Sequence, residues 1–220
     1  MVPFYVIRGN QYAYMSKTFY NQFLEAKKMY ENLDTSENKD SLEQQLYSIA
    51  IQRPYLQQMD EAAIATVIFQ ALAIEAYVNL LGIDILGEDK YYTYCYEKKK
   101  RLERASTKKK LEVITEIIGQ PLPDGLLHDI SALMDKRNDL VHQKPRATWV
   151  GIAPYNYDNQ EENFKDINAF IAETRMAEKN IDREVMLYEE LSEAIKIIRG
   201  TDKELIDEFQ EATETYSIFR

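Results

Sequence analysis

The chain has 220 residues, with 27 Lys and Arg against 37 Asp and Glu, which gives a formal net charge of −10. A hydrophobic share of 45% is enough for a core and excludes a mainly disordered chain. One Cys and two His exclude a disulfide scaffold and leave too few ligands for a zinc finger. The acidic balance argues against a general nucleic-acid-coating protein.

The N-terminal part of the chain favours a short hairpin followed by helices. Aromatic and β-branched residues flank the turn dipeptide Gly9-Asn10, which allows a β-hairpin in the first fifteen residues. Helical spacing then predicts two helices, the second ending before Pro54. Asp60 is expected to cap a third helix that runs to about Leu81 and is apolar on almost every face, as a central helix would be.

The rest of the chain also predicts helices. They are a tyrosine-rich helix over 91–104, one between Ser106 and Gly119 as caps, and one from Leu126 to near His142. A loop over 143–160, one long or kinked helix over 164–198 and a last helix over 205–216 follow.

We therefore expect an all-α fold, most simply one helical bundle with extensions at both ends. Its expected parts are an N-terminal helical extension (1–58), a helical core (59–200) and a C-terminal helix (201–220).

The cell compartment is predicted from two sequence features, the N-terminal residues and the longest apolar run. No basic region or apolar stretch of signal-peptide length stands at the N-terminus. The apolar run Ala62–Ile74 is shorter than the roughly 20 residues of a membrane span, so we expect a buried helix and no membrane contact. With one free thiol, a cytoplasmic location is the default.

The segment MDKRNDLVHQKP, residues 134–145, concentrates the chemistry of the chain. Asn138 and His142 are four residues apart and share a helix face, where Asn138 is placed to orient the imidazole. Arg137 and His142 are five apart, about 140° around a helix. They converge on one ligand only if the helix end unwinds or a second chain supplies part of the site. The plain alternative is that both cations complement the helix dipole.

Arg-Asn-x-x-x-His followed by Lys-Pro resembles the signature of the HEPN superfamily, the higher eukaryotes and prokaryotes nucleotide-binding domains. The central helix FQALAIEAYVNLL, with Glu75 and Asn79 four residues apart, resembles the core helix of many members. The order of helices is also similar, and the resemblance covers about residues 60–146.

The resemblance implies an all-α domain that dimerises and often acts as a metal-independent endoribonuclease. Arg137 and His142 would be its catalytic pair, with Asn138 beside the arginine, and no cofactor or metal is expected. The expected partners are RNA or a nucleotide, a second copy of the chain, and an antitoxin or another protein of a phage-defence system. The alternative is a non-catalytic nucleotide-binding or dimerisation module.

Cleavage without a metal ion can be argued from chemistry alone. The 2′-OH of RNA can attack the adjacent phosphate if a base, an acid and a cation assist, and His and Arg supply these roles. One motif histidine per chain favours a two-fold dimer that brings two His142 side chains together. His128 lies about four turns earlier on the same helix, too far to share a site within one chain.

Two further features keep alternatives open. Glu75 is either a buried structural carboxylate or a group that positions Arg137 or His142. A basic segment offers phosphate contacts, or else it is a half-buried aromatic face followed by solvated cations. Its candidate RNA- or phosphate-binding residues are Lys98, Lys99, Lys100, Arg101, Arg104, Lys108, Lys144 and Arg146. Residues 98–146 carry 12 cations and 7 anions, so this stretch alone is basic.

Overall fold

The structure is a computed structural model that describes residues 4–33, 42–97, 100–123, 125–142 and 176–199. Within these ranges the fold is all-α, as predicted, apart from one pair of short strands. The elements in chain order are α1 (Phe4–Glu31), α2 (Leu42–Leu86), α3 (Glu88–Thr93), β1 (Cys95–Glu97), β2 (Lys100–Arg101), α4 (Thr107–Ile118), α5 (Leu126–Val141), α6 (Ile181–Glu184) and α7 (Leu187–Arg199).

Helix α1 replaces the hairpin that was expected about Gly9 and Asn10, and that prediction is wrong. Packing decides the conformation here. Gly9 is buried against α2, where an added Cβ would stand 3.7 Å from the Ala73 carbonyl oxygen. Asn10 Oδ1 accepts a hydrogen bond from the Tyr188 hydroxyl at 2.7 Å. Tertiary contacts therefore override the local preference of the dipeptide for a turn.

Helix α2 runs through Pro54, where a helix end was expected, and Asp60 lies inside it rather than at a cap. A proline within a helix lacks the N–H that would bond the carbonyl four residues earlier. Pro54 and Ala50 are both exposed, so solvent can reach that carbonyl. The helix also continues without a break through residues 58 and 59, where the expected boundary lay.

The apolar side of α2 forms the centre of the core, as its sequence predicted. Val67, Ile74 and Val78 are fully buried in one cluster with residues of α4, α5 and α7. In the described part of the chain, Ala50–Leu86 is long and apolar enough to cross a membrane by length and composition, and half of its most apolar window is buried inside the protein. The apolar length thus exceeds the expected run, while its burial fits a core helix.

A strand pair replaces most of the expected tyrosine-rich helix, which ends at Thr93. Strands β1 and β2 pair antiparallel, with Cys95 opposite Arg101. Tyr94 and Tyr96 pack against the buried residues Tyr91, Leu102 and Val113, whereas Cys95 is exposed. This alternation has the two-residue period of a strand, which explains the correction.

Gly82 allows this segment to lie against α2. A Cβ at Gly82 would come within 2.5 Å of Cε2 of the Tyr91 ring. Tyr91 is itself buried. A glycine at this point of α2 is therefore needed for the tyrosine ring to fit.

The caps predicted for α4 are confirmed. The Ser106 side chain accepts a hydrogen bond from the Lys109 backbone N–H at 3.3 Å, and Gly119 adopts a left-handed conformation with φ 83°. Helix α5 extends from Leu126 to Val141, and His142 follows as its C-cap, as expected.

The long helix expected over 164–198 is interrupted where the structure describes it. Met176–Glu178 form a 3₁₀ turn, Asn180 has a left-handed φ of 65°, and α6 ends before α7 begins. The earlier part of that helix, the loop over 143–160 and the helix over 205–216 lie outside the described residues. So do Lys98, Lys99, Lys144 and Arg146.

Candidate functional site

The structure brings Glu75 and Arg137 together. Arg137 Nη2 on α5 donates to Glu75 Oε2 on α2 at 2.9 Å, across 62 residues of sequence. Their side chains are 21% and 38% exposed, so the pair stands at the edge of the core with access to solvent. Glu75 is therefore bonded to a neighbouring helix, which both alternatives allow, and it is partly exposed rather than buried.

The guanidinium group of Arg137 has donors beyond those that Glu75 uses. Its Nε is buried and finds no hydrogen-bond acceptor among the residues that the structure describes. Arginine carries five N–H donors in a fixed planar fork, and phosphate oxygens suit that geometry. Arg137 is thus held by Glu75 through Nη2, while its buried Nε has no acceptor among the described residues.

His142 lies at the end of α5, where the helix stops. Its backbone N–H donates to the Asn138 carbonyl oxygen at 2.8 Å, but its φ of −108° and ψ of 40° are no longer helical. The side chains of both residues are exposed, and within the described ranges no hydrogen bond joins the Asn138 amide to the imidazole. The helix therefore ends at the histidine, which is its C-cap.

Asn79, one turn after Glu75 on α2, is the acceptor of a second polar cluster. Its Oδ1 accepts from Lys110 Nζ on α4 at 2.7 Å and from the Tyr91 hydroxyl on α3 at 2.8 Å. Residues four apart on a helix are neighbours on one face. The two polar positions of α2 that the sequence singled out thus hold different parts of the molecule: Glu75 holds α5, and Asn79 holds the segment between α3 and α4.

Lys110 belongs to the basic segment, for which the alternatives were phosphate contacts or solvated cations. It is only 5% exposed. Burial lowers the pKa of its ammonium group, while the charges of Glu75 and Glu103 act in the opposite direction. The helical spacing of the sequence indicates this burial, because Lys110 falls on the same face of α4 as the buried Thr107, Leu111 and Ile114.

Tyr91 is buried beside the same group. Burial raises the pKa of its hydroxyl to about 12, and the neighbouring Tyr92, Glu103 and Glu75 add smaller contributions in the same direction. The Tyr91 hydroxyl therefore stays protonated at neutral pH and donates its proton to Asn79.

Lys136, the residue before Arg137, links α5 to α6. Lys136 Nζ lies 2.6 Å from Glu184 Oε1 and also donates to the Lys179 carbonyl oxygen. Glu184 is buried, and burial raises the pKa of its carboxyl, although the bond to Lys136 works against the rise. Arg137 is thus flanked along the chain by a lysine that anchors its helix.

The basic segment contributes a second group of cations. Lys100, Arg101, Arg104 and Lys108 are exposed. Lys109 is engaged, because its Nζ lies 3.1 Å from Glu112 Oε2 and 5.6 Å from the centre of the Tyr96 ring. Tyr96, Lys100, Arg101 and Arg104 line one surface pocket. The segment is therefore mixed: Lys110 is structural, whereas four exposed cations face solvent.

Within the described ranges, no group of three or more His, Cys, Asp or Glu side chains forms a potential metal site.

His128 is exposed on the same helix as His142, 14 residues earlier, which corresponds to about 21 Å along the axis.

Comparison with models of known protein families, with curated proteins and with solved structures finds no match to this chain.

Proposed function

We propose that the chain is a HEPN-type domain that cuts RNA without a metal ion, with Arg137 and His142 as its catalytic pair. The contact between Arg137 and Glu75 carries this proposal. The two sequence features that resemble the family, the RNxxxH segment and the Glu-and-Asn helix, lie far apart in the chain. Arg137 of the first feature and Glu75 of the second form an ion pair, with 2.9 Å between Nη2 and Oε2. This contact supports a shared role for the two segments.

The reaction needs no external nucleophile. A base removes the proton of the 2′-OH, the 2′-oxygen bonds to phosphorus, and the bond to the 5′-oxygen breaks as an acid protonates that oxygen. The products are a 2′,3′-cyclic phosphate and a 5′-hydroxyl end. The exposed His142 can serve as base or acid near neutral pH, and Arg137 can bind the phosphate oxygens as charge develops.

The proposed active form is a homodimer. Each chain presents one histidine at this end of α5, whereas the reaction has two proton transfers. A two-fold axis near His142 would supply both groups in one cleft, and Asn138 would lie beside the arginine. Sedimentation of the protein at micromolar concentration is then expected to give twice the chain mass of 25.8 kDa.

The setting proposed for such a nuclease is a toxin–antitoxin or phage-defence system. Unneutralised expression is then expected to arrest growth, and an antitoxin or another defence protein would restrain it. His142→Ala is expected to relieve the toxicity.

The second candidate is a non-catalytic nucleotide-binding or dimerisation module. It is favoured by one observation: Arg137 is already paired within its own chain, so part of its charge is balanced before any ligand arrives. A module of this kind is expected to gain thermal stability with a nucleotide and to leave RNA intact.

Cleavage of single-stranded RNA in EDTA tests the choice. The enzyme is expected to produce 2′,3′-cyclic phosphate ends and to lose activity by 100-fold or more, on the order of a lost acid–base group, with His142→Ala. His128→Ala is the matched control, because it removes the other exposed histidine of α5. Uncut RNA at micromolar protein, or equal activity of the two variants, contradicts the nuclease proposal.

A further inference from the structure

A surface pocket of about 510 Å³ lies beside the strand pair, lined by Tyr96, Lys100, Arg101 and Arg104. Three of the four lining residues are cations, and all three are exposed. Among the described residues, no carboxylate lies within ion-pair distance of Arg101 or Arg104. The pocket therefore offers two guanidinium groups without balancing anions.

An aromatic side chain lies in the pocket wall beside these cations. Cys95 pairs with Arg101 and Glu97 with Lys100, so Tyr96 is an extra residue on β1 at an irregularity of the ladder. Irregularities of this kind are common next to binding sites. Tyr96 packs on one side against the cluster of Tyr91, Leu102 and Val113 and is partly exposed in the pocket wall.

We infer that this pocket binds the phosphate backbone of single-stranded nucleic acid, with Arg101 and Arg104 on the phosphates and Tyr96 against a base. Arginine forks match phosphate oxygens in pairs. An aromatic ring beside them favours a strand whose bases have a free face, which a duplex does not offer.

The charge distribution restricts binding to this part of the chain. Residues 1–97 carry 7 cations and 13 anions, and residues 147–220 carry 8 and 17, so both repel a polyanion. The segment is also fixed in position. Tyr91 and Lys110, which flank it in sequence, both donate to Asn79.

This inference goes beyond the cleavage reaction, because it concerns residues outside the RNxxxH segment and is tested by binding alone. The probe is a fluorescent oligothymidylate of about 15 nucleotides, a length near that of known single-strand sites. It has no 2′-OH and cannot be cut by the proposed chemistry. Anisotropy measured on the full chain at several salt concentrations gives both the affinity and its salt dependence.

The double variant Arg101→Gln/Arg104→Gln is expected to bind at least tenfold more weakly than the wild type. The slope of log affinity against log salt is expected to fall by about 1.4, or about 0.7 for each lost phosphate contact. Lys27→Gln/Lys28→Gln removes the same charge from exposed positions of α1 and is expected to leave the slope unchanged. Tyr96→Leu is expected to weaken binding about tenfold with little change in slope.

The inference would be overturned by no binding at low salt, by equal slopes for the pocket and α1 variants, or by equal affinity for duplex DNA. Competition by polyglutamate of matched charge, as strong as that by unlabelled oligothymidylate, would instead assign the pocket to an acidic protein and also overturn it. The probe cannot be cleaved, so the binding assay reads the same whether or not the chain is a nuclease. Failure of the nuclease proposal would therefore not be confused with failure of this one.

Discussion

Lys110 Nζ donates to Asn79 Oδ1 at 2.7 Å from a position that is almost fully buried. A buried ammonium group is costly when it lacks an acceptor, so the amide oxygen of Asn79 is what makes this lysine tolerable in the core. The Tyr91 hydroxyl uses the same oxygen. One amide thus satisfies two groups from the segment that carries the strand pair.

We expect Asn79→Leu to lower the free energy of unfolding by about 2 kcal/mol, because it leaves a charged donor and a hydroxyl without their acceptor. Adding Lys110→Met to Asn79→Leu is expected to recover part of that loss, since replacing both partners by apolar groups is far less costly than removing one. Urea unfolding of the two single variants and the double variant measures the coupling. Strictly additive changes in free energy would contradict the proposed role of Asn79.

Glu75→Gln is expected to affect function more than stability. The pair with Arg137 is partly exposed, so its loss should change the free energy of unfolding by less than about 1 kcal/mol. If Arg137 binds phosphate, its altered position should lower kcat for RNA cleavage by about tenfold or more. Glu61→Gln, on an exposed turn of the same helix, is the control. Equal activity of Glu75→Gln and Glu61→Gln would show that the ion pair does not position the arginine.

Glu184 gives a prediction for the pH dependence of stability. Burial raises the pKa of its carboxyl above the ordinary 4.5, so the folded protein retains this proton to a higher pH than the unfolded chain. The stability that Glu184 contributes is therefore fully present below about pH 4.5 and is lost as the pH rises through its folded pKa. We expect the Tm of the wild type minus that of Glu184→Gln to fall as the pH rises above 4.5.

The same scan with Glu193→Gln, an exposed carboxylate of α7, controls for the loss of one negative charge. A Tm difference for Glu184→Gln that grows as the pH rises would mean that the bond to Lys136 outweighs the cost of burial.

Replacing each of two buried glycines by alanine is expected to change the free energy of unfolding in opposite directions. Gly82→Ala would bring a Cβ to 2.5 Å from the Tyr91 ring, and we expect a loss of about 1–3 kcal/mol in the free energy of unfolding. Gly9→Ala meets its neighbours at 3.7 Å, and we expect a gain of about 0.5–1 kcal/mol from the helix interior. Thermal or urea unfolding of both variants tests this. Equal effects would contradict the packing of Tyr91 on α2.

The features that sequence predicted well are those set by local chemistry. Ser106 and Gly119 act as caps because their side chain and backbone freedom suit helix ends wherever they occur. The apolar residues of α2 were expected to be buried, because they occupy almost every face of the helix.

The wrong predictions concern positions where contacts with neighbouring elements determine the conformation. The exposed Pro54 did not end its helix, and Gly9-Asn10 did not turn, since α2 and Tyr188 hold them in α1. In the candidate site, the contact of Glu75 with Arg137 was one of the expected alternatives, whereas neither alternative for the basic segment placed Lys110 in the core. Only the facing Asn79 reveals why a lysine is buried there.

The hydrogen bond between Tyr188 and Asn10 has a consequence for the order of folding. The bond closes a loop of 178 residues, whereas Ser16 on α1 donates to the Thr66 carbonyl oxygen only 50 residues away. During synthesis α1 can therefore pack on α2 early, because short loops close at a lower entropic cost. The docking of α7 on the start of α1 must wait until Tyr188 has emerged, which makes it a late step in folding.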